Sequence, residues 1–129
     1  MAYRVWIGGP GMATQKVTQA HQWGQIGPRL GKALGNDAEL VRAEFEQGAV
    51  QGWLTDTAAM LTRVEGQELV LVALEGQGLR HLLPHVIHNA RLAGLKTMRA
   101  HTKRRGLLRL AQRIEPRIKQ REIVLEMEL

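Results

Sequence analysis

Residues 69–74, Leu-Val-Leu-Val-Ala-Leu, form an apolar run that ends on Glu75, Gly76, Gln77 and Gly78 and continues into a segment of helical periodicity. A strand that is apolar at every position fits the centre of a sheet covered on both faces, because a strand with one wet face alternates instead. The two glycines let the chain turn sharply. They either do only that, or they also leave backbone amides uncovered at a helix N-terminus, where phosphate groups bind readily.

The flanking segments extend the pattern. Leu82, Leu83, Val86, Ile87, Ala90 and Leu92 form one helical stripe, with Pro84 placed in the first turn and Gly94 as the stop. A short strand follows over 95–101, then a helix over 102–114 with Thr102 as its N-cap. In residues 118–129, Ile123, Leu125, Met127 and Leu129 alternate with Glu122, Val124, Glu126 and Glu128, which predicts one half-buried strand near a sheet edge. Upstream, residues 3–7 read as a strand and 14–35 as a helix interrupted at Gly24, Gly27 and Pro28. A further helix over 38–47 has Asn36 or Asp37 as cap, Val41 and Phe45 inward, and Gly48 as stop. Two strands then meet around Asp56 and Thr57, and Gly66-Gln67 turns the second into 69–74. The expected class is α/β (mixed α+β): a mixed central sheet flanked by helices, as one domain over 1–129.

No apolar stretch approaches the ~20 residues that a membrane helix needs. The N-terminus lacks the apolar core of a secretory signal, so a cytoplasmic location and no membrane partner are expected. The absence of cysteine removes disulfides, thiolate metal sites and thiol nucleophiles. His81, His85 and His88 share a helix face, but no carboxylate in that helix completes a metal site, and no metal is expected.

Charge is uneven. Between residues 91 and 121 there are eleven lysines and arginines against one acid, Glu115. This is either a solvated face or a site for an anion: nucleic acid, an acidic protein or nucleotide phosphates. Trp6, Trp23 and Trp53 all lie in the first half, so the basic stretch has no aromatic platform for stacking bases. Two residues offer base chemistry: His101, by its near-neutral titration, and Glu75, by its position beside the glycine turn.

The order strand, glycine loop, helix, short strand, basic helix resembles the second half of the GNAT N-acetyltransferase fold. The resemblance implies that Val72, Ala73 and Leu74 hold an acyl thioester through their backbone, and that the loop binds the pyrophosphate of acetyl-coenzyme A. The family's loop pattern, Gln/Arg-x-x-Gly-x-Gly/Ala, falls on Glu75, Gly76, Gln77, Gly78, Leu79 and Arg80. Gly78 fits; Glu75 and Arg80 depart, one by its negative charge and the other by its bulk. Lys103, Arg104 and Arg105 would suit the 3′-phosphate. The family's helix motif, Asn-x-x-Ala-x-x-x-Tyr, places Gly106 at the alanine and Leu110 at the tyrosine that acts as general acid, so that hydroxyl is missing; the one tyrosine, Tyr3, lies elsewhere.

The segments QWGQIGPRLGKAL, EQGAVQGWL, RRGLLRL and IVLEMEL are also similar to small bacteriophage-encoded GNAT-like proteins. With the altered motifs, this implies a non-catalytic structural or accessory module. Its partners would be another protein such as a phage particle component, nucleic acid, or a second copy of the chain, in the host cytoplasm or with the virion. The alternative is an acetyl-coenzyme A-dependent N-acyltransferase acting on an amine.

Overall fold

The computed structural model describes residues 15–101, 105–121 and 124–128. The expected strand at 3–7 and the cap at Thr102 lie outside them. Seven strands form one mixed sheet in the order β1-β2-β3-β4-β5-β7-β6. They are β1 (Thr18–Ala20), β2 (Val50–Leu54), β3 (Ala58–Glu65), β4 (Glu68–Gly76), β5 (Thr97–His101), β6 (Lys119–Arg121) and β7 (Val124–Glu128). The apolar run thus becomes the middle strand of the seven, as its composition requires.

β2, β3 and β4 form an antiparallel meander. Its second turn is set by Gly66 at φ 61°, a left-handed conformation that a two-residue hairpin needs and glycine accepts without strain. β4 then pairs in parallel with β5, which in turn pairs antiparallel with β7.

Helices cover both faces. On one lie α4 (Leu79–Leu92) and α5 (Arg105–Ile114), whose Leu82, Leu83, Val86, Ala90 and Ala111 pack with Met60 and Leu69 of the sheet. On the other lie the short α1 (Trp23–Ile26), α2 (Gly31–Leu34) and α3 (Ala38–Glu46), whose Ile26, Leu34 and Val41 pack with Leu30 of the intervening 3-10 turn and with Leu61 and Ala73. Val41 and Phe45 face this second core as expected, and the indole of Trp23 meets the Phe45 ring edge-on at 5.6 Å.

Four expectations are corrected. Residues 18–20 are an edge strand on β2 rather than part of a helix, with Ala20 buried opposite Gly52. Gly52 is bare for a reason: a Cβ there would meet Ile26 Cδ1 at 2.7 Å. Because α4 begins at Leu79, Pro84 falls in the second turn, where it removes one helical N–H donor. Leu92 ends the helix 74% exposed instead of joining the stripe. Lys119–Arg121 and Val124–Glu128 are two antiparallel strands, not one; β7 lies inside the sheet and β6 takes the edge. Ile123 and Leu129 lie outside the described residues.

Alternating charges cross the sheet from α3 to β5. Arg63 reaches Glu44 at 2.7 Å and Glu65 at 3.5 Å, and Arg99 reaches Glu65 at 3.0 Å and Glu68 at 3.3 Å. A half-buried network of this kind holds better than an isolated surface pair.

Replacing Leu82, which is fully buried, with Ala is expected to cost about 2–5 kcal/mol in urea unfolding. The same change at exposed Leu92 should stay within about 0.5 kcal/mol.

Candidate functional site

The register of β4 has one slip. Leu61 of β3 pairs with Ala73, but its neighbour Thr62 pairs with Leu71, so Val72 is an extra residue, a β-bulge. Val72 and Ala73 consequently both face the core of α1–α3, while Leu71 and Leu74 face that of α4 and α5. Pairing between β4 and β5 ends at the same point, with Leu71 opposite Ala100. Beyond it β4 stays on β3 as far as Gly76, while His101 pairs with Val124 of β7 instead. A wedge opens between two neighbouring strands, and among the described residues no strand lies on the backbone edge of residues 72–76 that faces β5.

The glycine loop lies at the end of this edge, clasped to the tip of the β2–β3 hairpin. Thr57 Oγ1 donates to the Gln77 carbonyl at 2.5 Å and lies 2.8 Å from Gln15 Oε1, and the Gln77 N–H donates to the Thr57 carbonyl at 3.1 Å. Buried Thr55 shapes the tip, its Oγ1 accepting from Ala58 N at 3.0 Å and Thr57 N at 3.3 Å. Gly76 has φ 95°, and a Cβ on it would sit 2.0 Å from the Thr57 carbonyl; one on Gly78 would meet Ala58 Cβ at 2.7 Å. Both glycines are therefore demanded by close approach to the hairpin. The Gln77 amide, offered by sequence as an anion ligand, is already donated. The amides that remain at the helix start are those of Gly78 and Leu79, which have no carbonyl partner within the helix.

Glu75 does not stand as a bare carboxylate beside the loop. Its Oε1 accepts from the backbone N–H of Ala33, in the first turn of α2, where a carboxylate is favoured. The repulsion of phosphate expected from its charge is thereby reduced. Arg80 donates from Nε to His81 Nε2 at 3.3 Å, and His81 Nδ1 faces the Gln15 amide at 3.2 Å. A neutral imidazole has one acceptor nitrogen, so His81 accepts either from Arg80 or from the Gln15 backbone N–H at any moment, and an imidazolium could accept from neither.

His101 is the last residue of β5, beside the wedge. Arg105 is the first residue of α5, whereas Lys103 and Arg104, like Tyr3 and Trp6, lie outside the described residues. Leu110 is 37% exposed on α5. His85 packs edge-on against Trp53 at 5.5 Å. Among the described residues no cluster of three His, Cys, Asp or Glu could hold a metal ion, and no helix is long and apolar enough to cross a membrane. The bulge, the wedge and the Thr57 clasp escaped sequence reasoning, for neither Val72 nor Thr57 differs in kind from its neighbours.

Burial, and then Arg80, lowers the pKa of His81; burial, and then His88, lowers that of His85. Both are held neutral in the fold, so their contribution to stability is whole above the unfolded value of about 6.5 and is lost as pH falls toward the lowered folded values. The melting temperature should fall from about pH 7 to about pH 5, and fall less in His81→Gln with His85→Leu. Calorimetry over a pH series measures both slopes.

No protein-family model and no curated protein matches the chain. Solved structures do. A Bacillus subtilis acetyltransferase in complex with CoA is 13% identical, with a TM-score of 0.71 over 89% of this chain and 99% of that one. A ribosomal-protein alanine N-acetyltransferase from Escherichia coli is 14% identical, with a TM-score of 0.66 over 88% and 93%. An acetyltransferase of the GNAT family from Staphylococcus aureus is 12% identical, with a TM-score of 0.57 over 88% and 99%. With the sheet order, these likenesses show that the chain has the fold of the GNAT acetyltransferases.

Proposed function

We propose that the protein is an acetyl-coenzyme A-dependent N-acyltransferase acting on an amine. The observation that carries this reading is the wedge between β4 and β5. An open backbone edge inside a sheet leaves polar groups that need partners, and an extended chain of amides such as pantetheine supplies them as an added strand would. The CoA bound in the Bacillus subtilis structure supports the same reading. Against the non-catalytic module stands the arrangement of its two motif departures: Glu75 is turned to Ala33, and Arg80 is drawn to His81.

When bound, the thioester supplies an activated acyl group. The open edge of residues 72–76 would align the carrier, and the amides of Gly78 and Leu79, at the positive end of α4, would hold its phosphates. Arg80 adds a cation at this end, and Lys103, Arg104 and Arg105 add others before and at the start of α5. His101 is the base that takes the proton of the attacking amine, by its place at the end of β5 beside the wedge. Glu75, held by the Ala33 amide, positions α2 rather than acting as base. Leu110 gives α5 no hydroxyl to protonate a leaving sulfur, so turnover should be slow.

Acetyl-coenzyme A at a hundredfold excess over its dissociation constant should stabilise the fold by about 2.7 kcal/mol in a melting curve. Arg80→Glu should remove most of that shift. His101→Ala should keep it while lowering thiol release in the presence of amines by about 10²–10⁴-fold. A parent protein with neither shift nor thiol release would return the chain to the binding-module reading.

A further inference from the structure

The sheet and its ion pairs already use part of the basic stretch. Arg99 is held by Glu65 and Glu68, and Arg117 donates to Glu115 at 2.8 Å. That contact holds the Glu115 carboxyl below its usual range, so the one acid between residues 91 and 121 is charged and engaged. α5 is left as it is in sequence, with three arginines and no acid.

Arg105, Arg109 and Arg113 stand four residues apart on α5, so at about 100° per residue they form a single stripe. Ala111 and Ile114 lie on the opposite side of the helix, facing the core of α4 and the sheet. Arg109 and Arg113 are exposed, and among the described residues no ion pair holds either. Arg105 also opens the helix, directly after Lys103 and Arg104, where the backbone dipole is already positive. The helix itself gains nothing from this: like charges at successive i, i+4 positions repel, and cations at an N-terminus oppose the dipole. An external anion relieves both.

We infer that the outer face of α5 binds double-stranded nucleic acid through its phosphates, with Arg109 and Arg113 as contacts. The side chains choose between anions. The stripe consists of arginines, whose planar fork matches phosphate oxygens. An acidic protein partner would require an apolar centre, and among the residues of α4 and α5 whose burial is described the large apolar side chains that are exposed are Leu92 and Leu110. Single strands require aromatic platforms, and no Phe, Trp or Tyr occurs after Trp53. Phosphate contact without base readout carries no sequence preference. Nucleic-acid binding here is independent of the acyltransferase reading, since a protein that ignores coenzyme A can still bind nucleic acid and the reverse holds too.

The test is fluorescence anisotropy with a labelled mixed-sequence DNA duplex, titrated between about 50 and about 200 mM salt. Binding should weaken linearly on a log–log plot. Arg109→Ala with Arg113→Ala should flatten the slope by about two, one for each phosphate that no longer meets a cation, and weaken low-salt binding about tenfold or more. Arg109→Lys with Arg113→Lys keeps the charges and should keep the slope, and Arg42→Ala on α3 should change nothing. Melting curves confirm that each variant is folded. Absence of duplex binding at low salt, an unchanged slope in the double alanine variant, or an equal loss in Arg42→Ala would overturn the inference. Tighter binding to polyglutamate than to duplex would overturn it in favour of an acidic protein.

Discussion

A single extra residue in β4 governs the layout of the molecule. Before Val72 the strand is paired on both sides; after it, on one. A bulge bends its strand and increases the local twist, and the pairing of β4 with β5 ends there. Polar backbone groups in the middle of a sheet are costly to leave unpaired, and open edges invite pairing with other chains. A protein that keeps such an edge next to a glycine loop and a helix N-terminus has brought three binding elements to one place.

The position of that edge depends on contacts from the neighbouring hairpin of the sheet and from one covering helix. Thr57 holds Gln77 by two hydrogen bonds, fixing the loop to the β2–β3 hairpin, and Glu75 ties the preceding residue to α2. Two residues of one short segment are thus anchored, one to the neighbouring hairpin and one to a covering helix. The loop is rigid for reasons within the protein, so an incoming ligand need not order it. The bare α-carbons of Gly76 and Gly78 follow from this packing and are not in themselves a mark of ligand binding.

Much of the sheet was legible in the sequence because local chemistry dictated it. The apolar run of 69–74 had to be central, and Gly66, Gly76 and Gly94 took the positive φ that their places in turns implied. The central helix was legible by its stripe, although Pro84 drew its start three or more residues too late. What stayed hidden depends on partners distant in the chain. β1 has three residues and exists because β2 offers an edge, so its local pattern reads as helix. The terminal hairpin reverses without a glycine or proline, so alternation ran on unbroken through 118–129. Val72 is one valine among apolar neighbours, and only the registry of β3 makes it a bulge. The carboxylate of Glu75 was legible as charge but not in direction, because Ala33 lies far upstream.

The joint between β4 and β5 has a consequence for how the molecule assembles. Four residue pairs, Glu68 with Thr97 through Leu71 with Ala100, carry all the strand pairing between the meander and the β5–β7–β6 unit. The meander closes through tight turns between neighbours in the chain, whereas this parallel joint needs α4 to be spanned first. The parallel joint is therefore expected to form after the two hairpins of the meander. That joint reaches only as far as the bulge, so the seam that the α4 crossover must close is also the one left half open.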